Sequence, residues 1–431
     1  MPRRNLFVLV AVTLVALLCY QRVEKNPYGR TLANAISAIE NQYLAPIKAG
    51  TLFEGAMDGM IGKLDEYSAY ITPAELQSFQ ETIDQQFSGV GMEVAMDPQT
   101  RQLTVLSPLV GSPAYQAGVR AGDKILRIGG DSTQGMSLQD AVGLLRGKAG
   151  EPVALTVLHE GEAKPTALKI VRDVIQVDSV LGDTRNADGS WNFFLEGHDR
   201  IGYVRISSFT EKTADELQRA LEWLSEHDLR GLVLDLRDDP GGYLDAAIDV
   251  CDLLIRSGLI VTTRGRDGRI SRTYGASGKG RFTDFPLTVL VNQQSASAAE
   301  IVAACLQDHH RAAIIGGRSY GKGTVQELMN LEKGCGAMKL TTSSYWRPSG
   351  KNIQQPPNAG ASADWGVSPD EGCTVALAAE EQNRWRMWRA HRDVFQAAAN
   401  RGASKHPVEP FVDRPLLRAV EYLEKEATAK Q

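Results

Sequence analysis

The stretch from Val291 to Gln326, VNQQSASAAEIVAACLQDHHRAAIIGGRSYGKGTVQ, limits the possible folds more than any other. The β-rich run Leu287–Val291 delivers the chain to a polar bend at Asn292–Ser295. From Ser297 the apolar residues Ile301, Ala304 and Cys305 recur at helical spacing. Arg311–Ile315 then returns as a strand, and a loop containing Gly316, Gly317, Gly321 and Gly323 presents one lysine, Lys322. Strand, helix and strand in close succession indicate an α/β fold.

A serine at a strand-to-helix junction exposes its hydroxyl beside backbone N–H groups that can hold an oxyanion. Ser297 with Glu300 three residues on is also a capping box, in which the serine does no more than close the helix end. Lys322 in a glycine loop is, equally, a solvated charge. A Ser-His-Asp arrangement fails on distance. His309 and His310 lie 12 and 13 residues beyond Ser297 (309 − 297 and 310 − 297), which along a helix is about 18 Å. The returning strand, by contrast, can bring Lys322 back toward the helix start. An amine in water-poor surroundings loses its proton more readily and can serve a hydroxyl as general base.

SASAAEIVAACLQD followed by GKGTVQ resembles the carboxyl-terminal processing protease family (tail-specific proteases), Ser-Lys endopeptidases that carry a PDZ domain. The resemblance implies Ser297 as nucleophile, Lys322 as base 25 residues later (322 − 297) and Gln326 as the group orienting the amine. Ser295 is the rival nucleophile, but the family motif places the active serine second. Upstream, RDDPGGYLDAAIDVCDLLI puts a Pro-Gly-Gly turn directly before a helix. By resemblance to LRNNPGG, Gly242 supplies one oxyanion N–H, with Gly241 as the alternative, and Ala298 supplies the second. Asp238 and Asp239 stand where asparagines are more usual. Negative charge near an oxyanion is unhelpful, so these carboxylates are expected to point away or to form salt bridges.

The rest of the chain divides around that core. Its 431 residues, 43% of them apolar, allow two to three domains. A net charge of −5 argues against a general nucleic-acid binder. Residues 1–24 carry Arg3 and Arg4 ahead of the apolar run Leu6–Cys19, the pattern of an export signal. With no small-x-small cleavage site after it, this segment is expected to remain as a signal-anchor, a cleaved signal being the alternative, and either leaves the rest of the chain in the periplasm or cell envelope. Residues 25–85 read as amphipathic helices, with Leu32, Ile36, Ile39 and Tyr43 in one stripe and Phe53, Met57, Ile61 and Leu64 in another. In the family this helical arm helps to dimerise the protein.

Residues 86–174 resemble a PDZ domain. Ser88, Gly89, Val90 and Gly91 would form its carboxylate-binding loop, the glycines permitting positive φ so that successive N–H groups turn inward. Ala114, Ala117 and Val119 are read on a short helix, Lys124–Ile128 as a strand and Ser137–Leu145 as the helix lining the peptide groove. Arg146 ends that helix. In the family an arginine here couples the PDZ domain to the active site, although a cation at a helix C-terminus needs no further role.

Residues 175–370 form the α/β protease core, with strands at Ile201–Ile206 and Gly231–Leu236 and a hairpin from Leu259–Thr263 and Arg269–Tyr274. Residues 371–431 are read as helical, over Cys373–Phe395 and Leu416–Lys425, with Trp385 and Trp388 packing on the core or Arg384, Arg386 and Arg389 forming an exposed basic face. Five cysteines fit neither a disulfide scaffold nor a zinc site. Cys251 and Cys305 are read as core residues, and Cys335 with Cys373 as a pair that could close in an oxidising compartment.

The expected architecture is therefore a ClpP/crotonase-like serine protease core with an inserted β-rich PDZ domain and a helical N-terminal arm. It needs no metal or nucleotide, since no P-loop, HExxH or dinucleotide fingerprint occurs. The implied partners are protein or peptide substrates with free C-termini, the membrane through the N-terminal segment, a second copy of the chain and an adaptor protein. A catalytically silent PDZ scaffold is the rival reading. A crotonase-type acyl-CoA enzyme shares the core, but the export signal and PDZ sequence disfavour it.

Overall fold

The computed structural model describes residues 12–14, 27–97, 100–360, 363–394 and 410–429. Apart from Val12–Leu14, the expected signal-anchor lies outside the described residues. No helix among the described residues is long and apolar enough to cross a membrane.

The chain forms two compact units. One comprises Met1–Leu76 with Gln326–Thr341, the other Gln77–Val325 with Thr342–Gln431. In the first, the helix Ala49–Ile61 buries Met57 and Ile61 against Tyr70, which belongs to a strand, Ala69–Ile71, paired antiparallel with residues 337–339. Phe53 meets the Tyr70 ring edge-on at 6.2 Å. The preceding helix, Pro27–Gln42, buries no residue. The apolar stripe read from its sequence, Leu32, Ile39 and Tyr43 included, stands exposed.

The second unit is built on a five-stranded sheet in the order Val180–Leu181, Ile201–Ile206, Gly231–Asp235, Leu287–Val291 and Ala313–Gly316. The last four strands run parallel, and the edge strand Val180–Leu181 is antiparallel to them. Alternation along each strand sends side chains to two faces. Val204, Leu234, Val289 and Ile314 go to one side, under the helices Thr213–Glu226, Leu244–Leu254 and Ala298–Asp308. Tyr203, Val233, Leu290 and Ile315 go to the other, under the helix Arg414–Ala429 with Leu416, Val420 and Leu423. Covered on both faces, Gly231–Asp235 and Leu287–Val291 are buried throughout, as parallel strands with near-continuous apolar runs require.

The PDZ-like module has a separate core of Leu103, Val105, Ile125, Leu155 and Ile170, roofed by Ala141 and Leu145 of the helix Leu138–Leu145. Its first strand, Gln86–Gly89, pairs with Asp173–Gln176, so the module's two ends leave side by side.

Four readings from sequence need correction. The helix expected from Cys373 starts only at Ala379, because residues 373–375 join the core sheet, with Gly316 N–H bonding Cys373 O at 3.1 Å and Val375 N–H bonding Gly316 O at 2.8 Å. Arg389 is not on an exposed basic face. It is buried, donating to Asp183 and lying against the Tyr203 ring. Cys335 and Cys373 are both free thiols, and the sulfur pair in contact is Cys251 with Cys305, on two adjacent core helices. Gly89 has no positive φ; of the two loop glycines only Gly91 does, at 76°.

Candidate active site

The strand Leu287–Val291 ends at a bend held by side chains. The Asn292 N–H donates to Ser295 Oγ at 2.9 Å, and Ser295 Oγ donates to Leu236 O at 2.7 Å. That hydroxyl is buried and fully used in joining two core strands, which removes Ser295 as a nucleophile. Ser297 differs. Its backbone stands at φ 54°, ψ −114°, at the head of the helix Ala298–Asp308. A capping serine has β-region dihedrals. A non-glycine residue held at positive φ costs on the order of 1–3 kcal/mol and persists only where its surroundings impose it. Ser297 therefore forms the capping box with Glu300 that the sequence offered, but from a strained elbow that an ordinary cap does not need. The buried phenol of Tyr345 faces its side chain. Burial raises the Tyr345 pKa, and the contact with the Ser297 hydroxyl partly opposes that rise.

Glu300 lies one helical turn on and is fully buried. Its Oε2 accepts the Ser297 N–H at 2.9 Å and the Lys322 N–H at 2.8 Å. The two amide nitrogens are thus within about 6 Å of each other, since each is within hydrogen-bond reach of one oxygen. Its Oε1 accepts the Gly321 N–H at 2.6 Å and the Ser319 hydroxyl at 2.5 Å. Burial raises the Glu300 pKa, with the four hydrogen bonds pulling the other way. The lysine loop has further anchors. Tyr345 N–H donates to Gly323 O at 2.7 Å, Gln355 N–H to Gly321 O at 2.8 Å and Tyr320 N–H to Ser295 O at 2.9 Å. Gln326 belongs to the other compact unit, where its amide donates to Thr341 at 3.2 Å. His309 ends the serine helix, and its ring bonds Leu259 O at 2.7 Å.

The Pro-Gly-Gly turn follows the strand Gly231–Asp235. Gly241, at φ 96°, packs against Ser297 and the Ala298 nitrogen so closely that an added Cβ would sit 2.8 Å from the serine Cβ. Gly242 forms a parallel bridge with Phe209, in which Phe209 N–H donates to Gly241 O and Tyr243 N–H to Phe209 O. In that pattern the Gly242 N–H points away from Phe209. The Gly241 N–H is already donated to Asp239 Oδ1 at 2.8 Å, so Gly242 is the better placed of the two sequence alternatives. Asp238 pairs with Arg386 and accepts from the Asn292 amide, as the sequence allowed. Asp239 does not pair. It is buried, its Oδ2 has no hydrogen-bond partner, and burial pushes its carboxyl well above the usual range against the single Gly241 bond.

In the PDZ-like module, Ala114 N–H donates to Val90 O at 2.8 Å, and Ser112 Oγ to Gly91 O at 2.6 Å. A Cβ on Gly91 would strike Ser112 at 2.4 Å, so this position admits only glycine. The Ser88 hydroxyl is buried without a partner. Arg146 lies over the Phe87 ring at 5.3 Å and stands 3.9 Å from Glu81. Among the described residues no three His, Cys, Asp or Glu side chains converge as a metal site.

The model of Peptidase family S41 matches residues 200–372 and a PDZ domain model matches residues 104–158. A carboxy-terminal-processing protease of Bartonella bacilliformis is 40% identical over 338 residues, 77% of this chain and 74% of the relative. This chain belongs to the carboxyl-terminal processing proteases. A second relative, from Synechocystis, is 36% identical over 73% of this chain and 70% of its own length. The solved photosystem II D1 C-terminal processing protease aligns at 29% identity and TM-score 0.44, over 80% of this chain and 86% of that one.

As a carboxyl-terminal processing protease the chain is a serine peptidase of the S41 fold with a PDZ domain, the fold class read from sequence. The sequence reading missed three supports of its site. Glu300 was visible only as the third position of a capping box, with nothing to indicate its bonds to residues 319–322. The buried Arg237, three residues before the Pro-Gly-Gly turn, bonds Asp235 at 2.7 Å and Asp413 at 2.8 Å and lies under the Trp385 ring. Tyr345, on the strand Ala337–Trp346, belongs to none of the motifs read from the sequence.

Proposed function

We propose that this carboxyl-terminal processing protease cuts protein substrates toward their C-termini with a Ser-Lys dyad. Ser297 attacks the scissile carbonyl, and Lys322 takes the hydroxyl proton and returns it to the leaving amine. The Gly242 and Ala298 N–H groups hold the oxyanion, the second at a helix N-terminus whose dipole favours negative charge. The observation that carries the reading is the shared carboxylate oxygen of Glu300, which holds the backbones of Ser297 and Lys322 together. A lysine's flexible four-carbon stem then suffices to bring amine to hydroxyl.

The Ser88–Gly91 loop captures the substrate's terminal carboxylate, and Arg146 couples its occupancy to the core. The same reading places the chain outside the cytoplasm, held at the membrane by residues 1–24. The exposed stripe of Leu32, Ile39 and Tyr43 supports self-association.

Ser297→Ala and Lys322→Ala should each abolish cleavage of an unstructured protein while the melting temperature stays within a few degrees of the parent. Retained cleavage in either variant overturns the dyad. A silent scaffold would bind such a protein and leave it whole, and an acyl-CoA enzyme would ignore it.

A further inference from the structure

We infer that Glu300 is the positioning residue of the dyad, an ionised buried carboxylate that sets the serine elbow and the lysine loop in register. The inference rests on the Ser-Lys reading and deepens it. Four donors converge on the two oxygens, namely the N–H groups of Ser297, Gly321 and Lys322 and the hydroxyl of Ser319. The Ser319 hydroxyl itself accepts the Val367 N–H at 2.7 Å, so its own proton is the one directed at Glu300. A protonated carboxyl would carry a donor into a ring of donors and lose one of these bonds. The geometry thus requires the carboxylate form, and hydrogen bonds to a charged acceptor are about twice as strong as neutral ones.

The carboxylate has two effects on the chemistry. It grips the N–H of a residue at positive φ, holding the elbow that presents the Ser297 hydroxyl, and it fixes where the lysine stem begins. A side chain one turn into the helix thereby joins two segments 25 positions apart in the chain (322 − 297). A dyad gains from such fixing because reacting groups displaced by an ångström lose orders of magnitude in rate. Gly366 closes the space on the remaining side, since a Cβ there would approach Ser319 Oγ at 2.8 Å and Glu300 Oε1 at 3.4 Å. Glu300 touches no substrate in this account; it acts through Ser297 and Lys322.

The test is Glu300→Gln, which keeps shape but turns one acceptor into a donor facing N–H groups. A fluorophosphonate that acylates reactive serines reads the nucleophile directly, and steady-state cleavage supplies kcat and KM separately. The expected result is a 10-fold or greater fall in both the Ser297 acylation rate and kcat, with KM within twofold, measured well below the melting temperature. Acylation at the parent rate overturns the inference, as does a loss no larger than the unfolded fraction. Should Glu300→Gln fail to fold, Ser319→Ala removes one donor and decides. A threefold or greater slowing of acylation in folded protein supports the role, and an unchanged rate overturns it. Cleavage surviving in Ser297→Ala would instead strike down the dyad reading itself. That outcome is distinguishable from a dead Ser297→Ala beside a fully active Glu300→Gln.

Discussion

Asp239 is the residue whose chemistry is least expected beside a turn proposed to hold an oxyanion. It is buried, unpaired and held by one N–H, and burial raises its carboxyl well above the ordinary 3.8. The sign of the resulting pH dependence follows from linkage. A carboxyl that binds its proton more tightly in the native than in the unfolded state makes stability fall as pH climbs above the unfolded value. Asp239→Asn is neutral at every pH and removes that slope. The melting temperature of the variant relative to the parent should therefore rise steadily between pH 5 and pH 8. Parallel curves across that range would show that Asp239 titrates as it does in the unfolded chain. Glu300, also buried with a raised carboxyl, differs in having four donors where Asp239 has one. The number of donors decides how far hydrogen bonding opposes burial, strongly at Glu300 and weakly at Asp239.

At the scale of elements, the strands Ile201–Ile206 and Lys124–Ile128 stand where their β-rich runs placed them, because burial on at least one face leaves a local pattern. The helix expected from Cys373 did not begin there because sheet pairing with Gly316 competed for the same backbone groups, a partner invisible in local periodicity. The carboxylate loop is a similar case. Its composition was legible, but its geometry is divided between an extended Gly89 and a left-handed Gly91. If this loop holds a terminal carboxylate, a substrate with its C-terminus blocked as an amide loses a charge-assisted bond of about 1.5–3 kcal/mol. That corresponds to roughly a 10- to 100-fold rise in KM, with kcat changed much less. Equal KM values for acid and amide substrates, measured side by side, would remove the loop from substrate capture.

At the scale of the larger unit, the least legible contacts are those that tie its C-terminal segment to the catalytic sheet. Arg237 and Asp413 are 176 positions apart, and Asp183 and Arg389 are 206 apart. Neither pair leaves a spacing signal, because an ion pair needs only two charges and a fold that joins them. Yet Arg237 sits between the core strand and the Pro-Gly-Gly turn, its guanidinium shared by Asp235 and Asp413, and Tyr203 donates to Asp235 at 2.7 Å. Arg237 holds the Asp235 carboxyl below its usual range despite complete burial. Removing Asp413 leaves the Arg237 charge balanced by Asp235 but strips it of two hydrogen bonds, each of them to a charged group and worth about 1.5–3 kcal/mol. Asp413→Ala should therefore lower the melting temperature by several degrees. Because the loosened arginine leads directly into the turn that carries Gly242, kcat should fall with KM little changed. A variant that melts earlier yet keeps its parent kcat at low temperature would make the C-terminal segment a brace for the sheet alone. One that loses both would make it a support of the proposed oxyanion turn as well.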